Sequence, residues 1–184
     1  GGAWMSNGTI QNCFFSNNLS TSSGGGLSSR GAVLACQFIA NTSLYGKGGG
    51  LQIARGNPTP SVADSLFFMN RASQGGGIYV SSPSVLITNC DVISNVATND
   101  LGGGISCESS AIFRNCRVIS NVVMATVSYG GGISDPNVLA SFYDCSFSNN
   151  TAGSAGGGAF KGKVYNNCTF VNNNVILTTG NSGG

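Results

Sequence analysis

Seven times along this chain a cluster of glycines is followed, after a variable stretch, by a block of fixed internal spacing, and that recurrence limits the fold more than any other feature. The glycines begin at Gly1 (GGAW), Gly24 (GGGL), Gly48 (GGGL), Gly75 (GGGI), Gly102 (GGGI), Gly130 (GGGI) and Gly156 (GGGA). The block reads C-x-[FV]-x-x-N: CFFSNN, CQFIAN, SLFFMN, CDVISN, CRVISN, CSFSNN and CTFVNN. Its last position is filled every time, by Asn18, Asn41, Asn70, Asn95, Asn121, Asn150 and Asn173. Constant spacing marks packed strands and variable spacing marks surface loops.

A second turn position precedes each block: Asn12, Ala35, Asp64, Asn89, Asn115, Asp144 and Asn167, with an apolar residue two places earlier. Each unit then predicts three short strands: one after the glycines, one ending before the Asn or Asp, and one at C-x-[FV], where alternation puts both named residues on one face. Three strands per coil of about 23 to 29 residues, about seven coils, with Gly and Asn at the corners, describe an all-β, right-handed parallel β-helix. In such a solenoid equivalent residues of successive coils stack about 4.8 Å apart. Val, Ile and Phe would fill the interior, each fully buried side chain contributing roughly 1.5 to 3 kcal/mol, and stacked Asn amides would bond from coil to coil. Residues 1–184 read as a single β-helix domain, expected to be a segment of a longer protein or the subunit of a filament, because the chain starts at a glycine corner and ends near the same phase at "NSGG" with no capping helix.

Composition narrows the function. Only 8% of residues are charged, yet 41% are apolar, which argues for a packed structure rather than a disordered polar tract. A net charge of +2 from scattered Lys and Arg gives no basic cluster for nucleic acid, and no apolar run is long enough to insert in a membrane as a helix.

The GGA or GGG triplet with F-x-x-N further on resembles the polymorphic outer membrane proteins of chlamydiae. F-x-x-N runs from Phe15 to Asn18, Phe38 to Asn41, Phe67 to Asn70, Phe147 to Asn150 and Phe170 to Asn173, with Val92 and Val118 in place of Phe in the other blocks. The resemblance implies a β-helical passenger of a surface autotransporter and an adhesive role. The chain departs from that family in preferring GGG and in lacking a membrane-barrel segment.

Many β-helices act on polysaccharides, which needs clustered carboxylates, often with Ca²⁺, or a paired acid and base. The acids are Asp64, Asp91, Asp100, Glu108, Asp135 and Asp144, and the repeat sets no two of them on adjacent coils of one face, so no catalytic, cofactor or metal site is expected. Six cysteines, Cys13, Cys36, Cys90, Cys116, Cys145 and Cys168, share one slot that Ser65 interrupts, and Cys107 stands apart. They read either as a buried thiol ladder serving as small apolar packing, or as disulfides pairing Cys13 with Cys36, Cys90 with Cys116 and Cys145 with Cys168. With no His and no C-x-x-C, zinc is not expected. Sequons lie at Asn7, Asn18, Asn41, Asn149 and Asn167. In a secreted eukaryotic protein Asn7 and Asn149 are the first glycosylation candidates and Asn167 the next, since Asn18 and Asn41 belong to the corner ladder. The longest apolar loop, "VVMATVSY" from Val122 to Tyr129, and "NVILTTGNS" near the end are expected to pack on the outside of the solenoid.

These readings converge on a non-enzymatic extracellular or cell-surface structural protein. It would be a building block of a fibre that associates end to end with copies of itself or with neighbouring β-helix segments, and it would carry covalent glycans. An adhesin passenger is the alternative, and a polysaccharide lyase or hydrolase comes third.

Overall fold

The computed structural model describes residues 1–56 and 59–176. Its strands form four seven-stranded sheets, every pairing parallel, and each sheet takes one strand from each coil. One coil shows the plan: Ile78–Val80, Val85–Thr88, Asp91–Ile93 and Val96–Ala97. The three strands predicted for each coil are there. The fourth, only two residues long, follows the Asn corner, where the sequence reads as loop because two residues are too few to show an alternation.

Three positions recur in left-handed backbone and turn the corners, while Gly8, Ser84, Val138, Lys161 and Gly162 take it in single coils. The first is the leading glycine, such as Gly75 at φ 59°. The second is the residue before the Cys slot, from Asn12 at 54° to Asn167 at 51°. The third is Asn17, Ala40, Met69, Ser94, Ser120, Asn149 or Asn172. The corner is therefore turned by the residue before the recurring Asn. The recurring Asn that the sequence sets at the corner thus follows the left-handed residue directly.

Inward residues stack in columns. Phe15, Phe38 and Phe67 lie ring on ring with centroids 4.8 Å apart, and Phe113, Phe142 and Tyr165 form a second stack at 4.9 and 4.8 Å. Val118 stands in the first column where Phe113 enters the second, so one coil exchanges bulk between its walls and keeps the section filled. Leu27, Leu51, Ile78, Ile105 and Ile133 line the wall behind the glycines.

Residues 122–129 divide between two surroundings. Val123 and Ser128 are buried and the Tyr129 ring lies on Phe160 at 4.6 Å, as packing requires, whereas Met124 and Val127 stand exposed. The rest of "NVILTTGNS" from 177 onward, and the "NSGG" end, lie outside the described residues.

Candidate functional site

The recurring asparagines form one continuous amide ladder along the axis. Asn18 Nδ2 donates to Asn41 Oδ1 at 2.8 Å, and the same bond runs at 3.0 Å from Asn41 to Asn70, Asn70 to Asn95, Asn95 to Asn121 and Asn121 to Asn150, ending on Asn173 at 2.9 Å. The second Nδ2 hydrogen of Asn41 reaches Phe15 O at 2.9 Å, and the backbone N–H of each rung also bonds the next rung's Oδ1. Asn41, Asn70, Asn95, Asn121 and Asn150 are fully buried. Only a side chain with one acceptor and two donors in this shape satisfies all these groups, which is why the slot never changes.

A second, exposed ladder runs along the neighbouring corner. Asn115 Nδ2 donates to Asn89 Oδ1 and Asn89 Nδ2 to Asp64 Oδ1, both at 2.9 Å, while Asn167 Nδ2 donates to Asp144 Oδ1 at 2.7 Å. A carboxylate accepts but cannot donate, so Asp64 and Asp144 each end a run.

All seven cysteines are free thiols. In the ladder each thiol donates to the carbonyl two residues earlier: Cys13 to Gln11, Cys36 to Leu34, Cys90 to Thr88 and Cys145 to Tyr143 at 3.2 Å, Cys116 to Arg114 at 3.3 Å and Cys168 to Asn166 at 3.4 Å. Ser65 makes the same bond to Ala63 O at 2.8 Å, which explains the one exchange the slot accepts. The slot selects a small side chain with one donor. Burial pushes the Cys107 thiol up to about 12. Cys116 is also raised to about 12: its bond with Cys145 lowers it, and its bond with Cys90 and burial together raise it more, while Cys145 is raised by its bond to Cys116 and by burial. Such thiols stay protonated and are poor nucleophiles and ligands. Under native conditions a maleimide should label exposed Cys13 first and Cys36, Cys90, Cys107, Cys116 and Cys145 at least about a hundredfold more slowly. Peptide mass spectrometry reads the order, and equal labelling of Cys36 and Cys13 would disprove it.

The acids are dispersed as the repeat suggests, with one exception. Asp64 and Asp91 line one surface hollow of about 370 Å³, contrary to the expected separation. Both are engaged there, Asp64 with Asn89 and Asp91 in a bidentate pair with Arg117 Nε at 2.7 Å and Nη2 at 2.5 Å. Asp135 is buried in an inward position, where its Oδ2 accepts from Leu139 N and Ala140 N, both at 2.8 Å, and fastens the turn that follows.

One constellation escaped the sequence reading. Lys47, Tyr79 and Glu108 come from three coils and meet on the outer face of the sheet behind the glycines. Lys47 Nζ lies 2.7 Å from Glu108 Oε1 and 3.1 Å from Tyr79 OH, Tyr79 OH donates to Glu108 Oε2 at 2.6 Å, and Nζ stands 4.5 Å from the Tyr79 ring centroid. The signal was register: Tyr79 pairs across sheet neighbours with Gln52 and Ser106, and Lys47 pairs with Gln74, but register alone does not show that the long Lys47 side chain reaches Tyr79 and Glu108. Burial opposes the charge on both Lys47 and Glu108, and their mutual bond outweighs it, so Lys47 is raised and Glu108 lowered. Burial and the bond to Glu108 raise Tyr79. Each group holds its resting protonation state more firmly, the opposite of what a general acid or base needs near neutral pH. The cluster therefore acts as a staple across coils.

Its contribution to stability has a definite pH window. Glu108, depressed in the fold, contributes above its unfolded value of about 4.3 and loses that contribution as pH falls through the lower folded value. Lys47, raised in the fold, contributes below about 10.4 and loses that contribution as pH rises through its higher folded value. Glu108→Gln should cost about 1 kcal/mol or less at pH 7, screened as the pair is, and less at about pH 3, where part of the carboxylate's contribution is lost. Urea melts at both pH values check this, and a cost undiminished in acid would refute the assignment.

Of the sequon residues, Asn41 has both Nδ2 hydrogens bonded, Asn18 spends one on Asn41 and Asn167 one on Asp144. Asn149 is exposed and its side chain makes no hydrogen bond, and Asn7 is exposed. Among the described residues no group of three or more His, Cys, Asp or Glu is placed to hold a metal ion, and no helix is long and apolar enough to cross a membrane.

Residues 3–139 match the family described as Right handed beta helix region, and residues 144–163 match the Chlamydia polymorphic membrane protein repeat. No curated protein and no solved structure matches the chain. The first match covers well over half the chain and the second falls on the sixth C-x-[FV]-x-x-N block, with its Phe147 to Asn150, and the glycines after it, so the chain belongs to the right-handed β-helix family, in the form that resembles the chlamydial polymorphic membrane proteins.

Proposed function

We propose that this β-helix is a non-enzymatic structural element of an extracellular or cell surface, a stiff rod that forms part of a fibre and carries N-linked glycans. The supporting observation is the unbroken Asn ladder from Asn18 to Asn173, which runs beside four parallel sheets over the same coils. Hydrogen bonds of all five rows point along the axis, so bending the rod must stretch some while compressing others. Coil stacking can continue with a further coil of this protein or of another copy, since parallel strands pair equally with either. The match to a surface-protein repeat supports the location. Glycans at Asn149 and Asn7 would project from the rod without touching the ladder.

The experiment is electron cryomicroscopy of material isolated from its source without denaturation. The rod reading expects extended fibres of continuous β-helix, with extra density at Asn149 or Asn7. Compact separate particles without fibres would overturn it.

A second reading, an adhesin that binds a partner along one face, is favoured by the half-buried outward stripe Ile39, Phe68, Ile93 and Ile119. Monomers that bind a cell-surface ligand saturably, and lose it on Phe68→Asp, would move the assignment there.

A further inference from the structure

We propose that the cleft between Arg30 and Arg55 is a binding site for an anionic polysaccharide. The two arginines lie at the same corner of adjacent coils and, with Ser6, Asn7 and Gly56, line a cleft of about 480 Å³. That volume is within the range of small-ligand sites. Both side chains are exposed. Arg30 leans toward the Trp4 ring, its guanidinium carbon 6.0 Å from the centroid, and among the described residues neither arginine has a carboxylate partner.

That lack of a partner is a local property of the chain. No Asp or Glu precedes Asp64, so residues 1–63 carry Arg30, Lys47 and Arg55 without an acid. Lys47 is neutralised by Glu108, reached from two coils beyond. Arg117 pairs with Asp91, and Arg114 lies over the Tyr143 ring at 4.5 Å. Arg30 and Arg55 are thus neighbouring guanidinium forks with no internal anion to satisfy them. A guanidinium binds sulfate or carboxylate oxygens through two parallel hydrogen bonds, and two forks one coil apart suit a ligand that repeats its charge. Trp4, with 65% of its surface exposed beside Arg30, offers an apolar plane for a sugar ring. A polysaccharide is favoured over nucleic acid because two cations and one aromatic side chain lack the extended basic, base-stacking track that strands require.

The site is independent of the rod: a chain that binds no polyanion can still build a fibre, and a chain that builds no fibre can still bind here. The test is titration calorimetry of the full chain, produced without glycans because Asn7 lines the cleft, at about 50 mM salt, where surface charges are weakly screened, with dextran sulfate, polygalacturonate, uncharged dextran and duplex DNA as probes. One of the two anionic glycans should bind and dextran should not, and which one binds tells sulfate from carboxylate. Arg30→Ala with Arg55→Ala should weaken that binding at least about tenfold, the equivalent of about 1.4 kcal/mol. The paired Lys variants, which keep the charge and lose the fork, should fall between. Lys163→Ala should change nothing. No binding of either anionic glycan, undiminished binding by the double Ala variant, full recovery by the Lys variants, or tighter binding of DNA would each overturn the proposal.

Discussion

Asn95→Ala should lower the unfolding free energy by about 4 kcal/mol, far more than its small loss of volume would suggest. The side chain sits at the middle of the ladder and donates to Phe67 O at 2.9 Å and Asn121 Oδ1 at 3.0 Å, while its own Oδ1 accepts from Asn70 N at 2.9 Å and Asn70 Nδ2 at 3.0 Å. Truncation leaves Phe67 O, Asn70 N and one Asn70 Nδ2 hydrogen without that partner in a buried site, and each orphaned group costs about 1–3 kcal/mol. Asn95→Asp should cost at least as much, since it keeps the acceptor for Asn70 but points an oxygen at Phe67 O and Asn121 Oδ1 and buries a charge. Asn115→Ala removes a rung of the exposed ladder, where water replaces the lost bond, and puts alanine in the left-handed backbone that Asn tolerates at φ 50°, so it should cost about 1–2 kcal/mol, nearly all of it backbone strain. Urea denaturation of the three variants gives the order, and an equal cost for Asn95→Ala and Asn115→Ala would show that the buried ladder does not hold the coils together.

The same contrast explains what the sequence makes legible. Positions whose bonds repeat in every coil, such as the Asn slot, recur as letters, and the fold follows from them. Positions that repeat a backbone shape recur only loosely: the left-handed residue before each ladder Asn is Asn17, Ala40, Met69, Ser94, Ser120, Asn149 or Asn172, and no residue type marks it. Its conformation is imposed by the coils on either side, and Met69 accepts it with an exposed side chain. Contacts that occur once leave no periodic trace at all. Lys47 is 61 residues from Glu108 and meets it because two coil lengths and a flexible side chain happen to span that gap. The Arg30 and Arg55 cleft is hidden for the same reason, although the absence of acids before Asp64 was visible in the composition of the first third.

The Cys slot lies between these cases. It recurs as a letter, but Cys, packed as a small apolar group, and Cys, bonded as a weak donor, look alike in sequence. The exchange at Ser65 decides for the donor, because serine is a poor apolar filler and makes the shorter bond, 2.8 Å to Ala63 O.

Gly76→Ala should destabilise the chain by about 3 kcal/mol or more, or prevent folding, even though one methyl group is the smallest possible addition. Gly76 is the middle of its triplet and has no left-handed backbone, so alanine meets no conformational penalty there. The cost is entirely one of approach: an added Cβ would lie 2.5 Å from Gly103 O, 2.5 Å from Val96 O and 2.6 Å from Val96 C. These are backbone atoms of the next coil and of the short fourth strand, and both are held by ladder bonds, Gly103 N to Gly130 O at 3.1 Å and Val96 N to Asn70 O at 2.9 Å. Neither can withdraw without breaking its own row. Gly8 is the reverse case, with φ at 97° and nothing within 4 Å of its added Cβ, so Gly8→Ala pays only the left-handed penalty of about 1–2 kcal/mol. Thermal melts of the two variants separate steric closeness from backbone strain, and a Gly76→Ala protein as stable as Gly8→Ala would refute the account. The middle glycines Gly25, Gly49, Gly103, Gly131 and Gly157 face contacts of 2.3 to 2.5 Å with neighbouring backbone. The two-residue fourth strand can therefore close each coil only where a side chain is missing, and this closure is why the triplet persists while the loops around it drift.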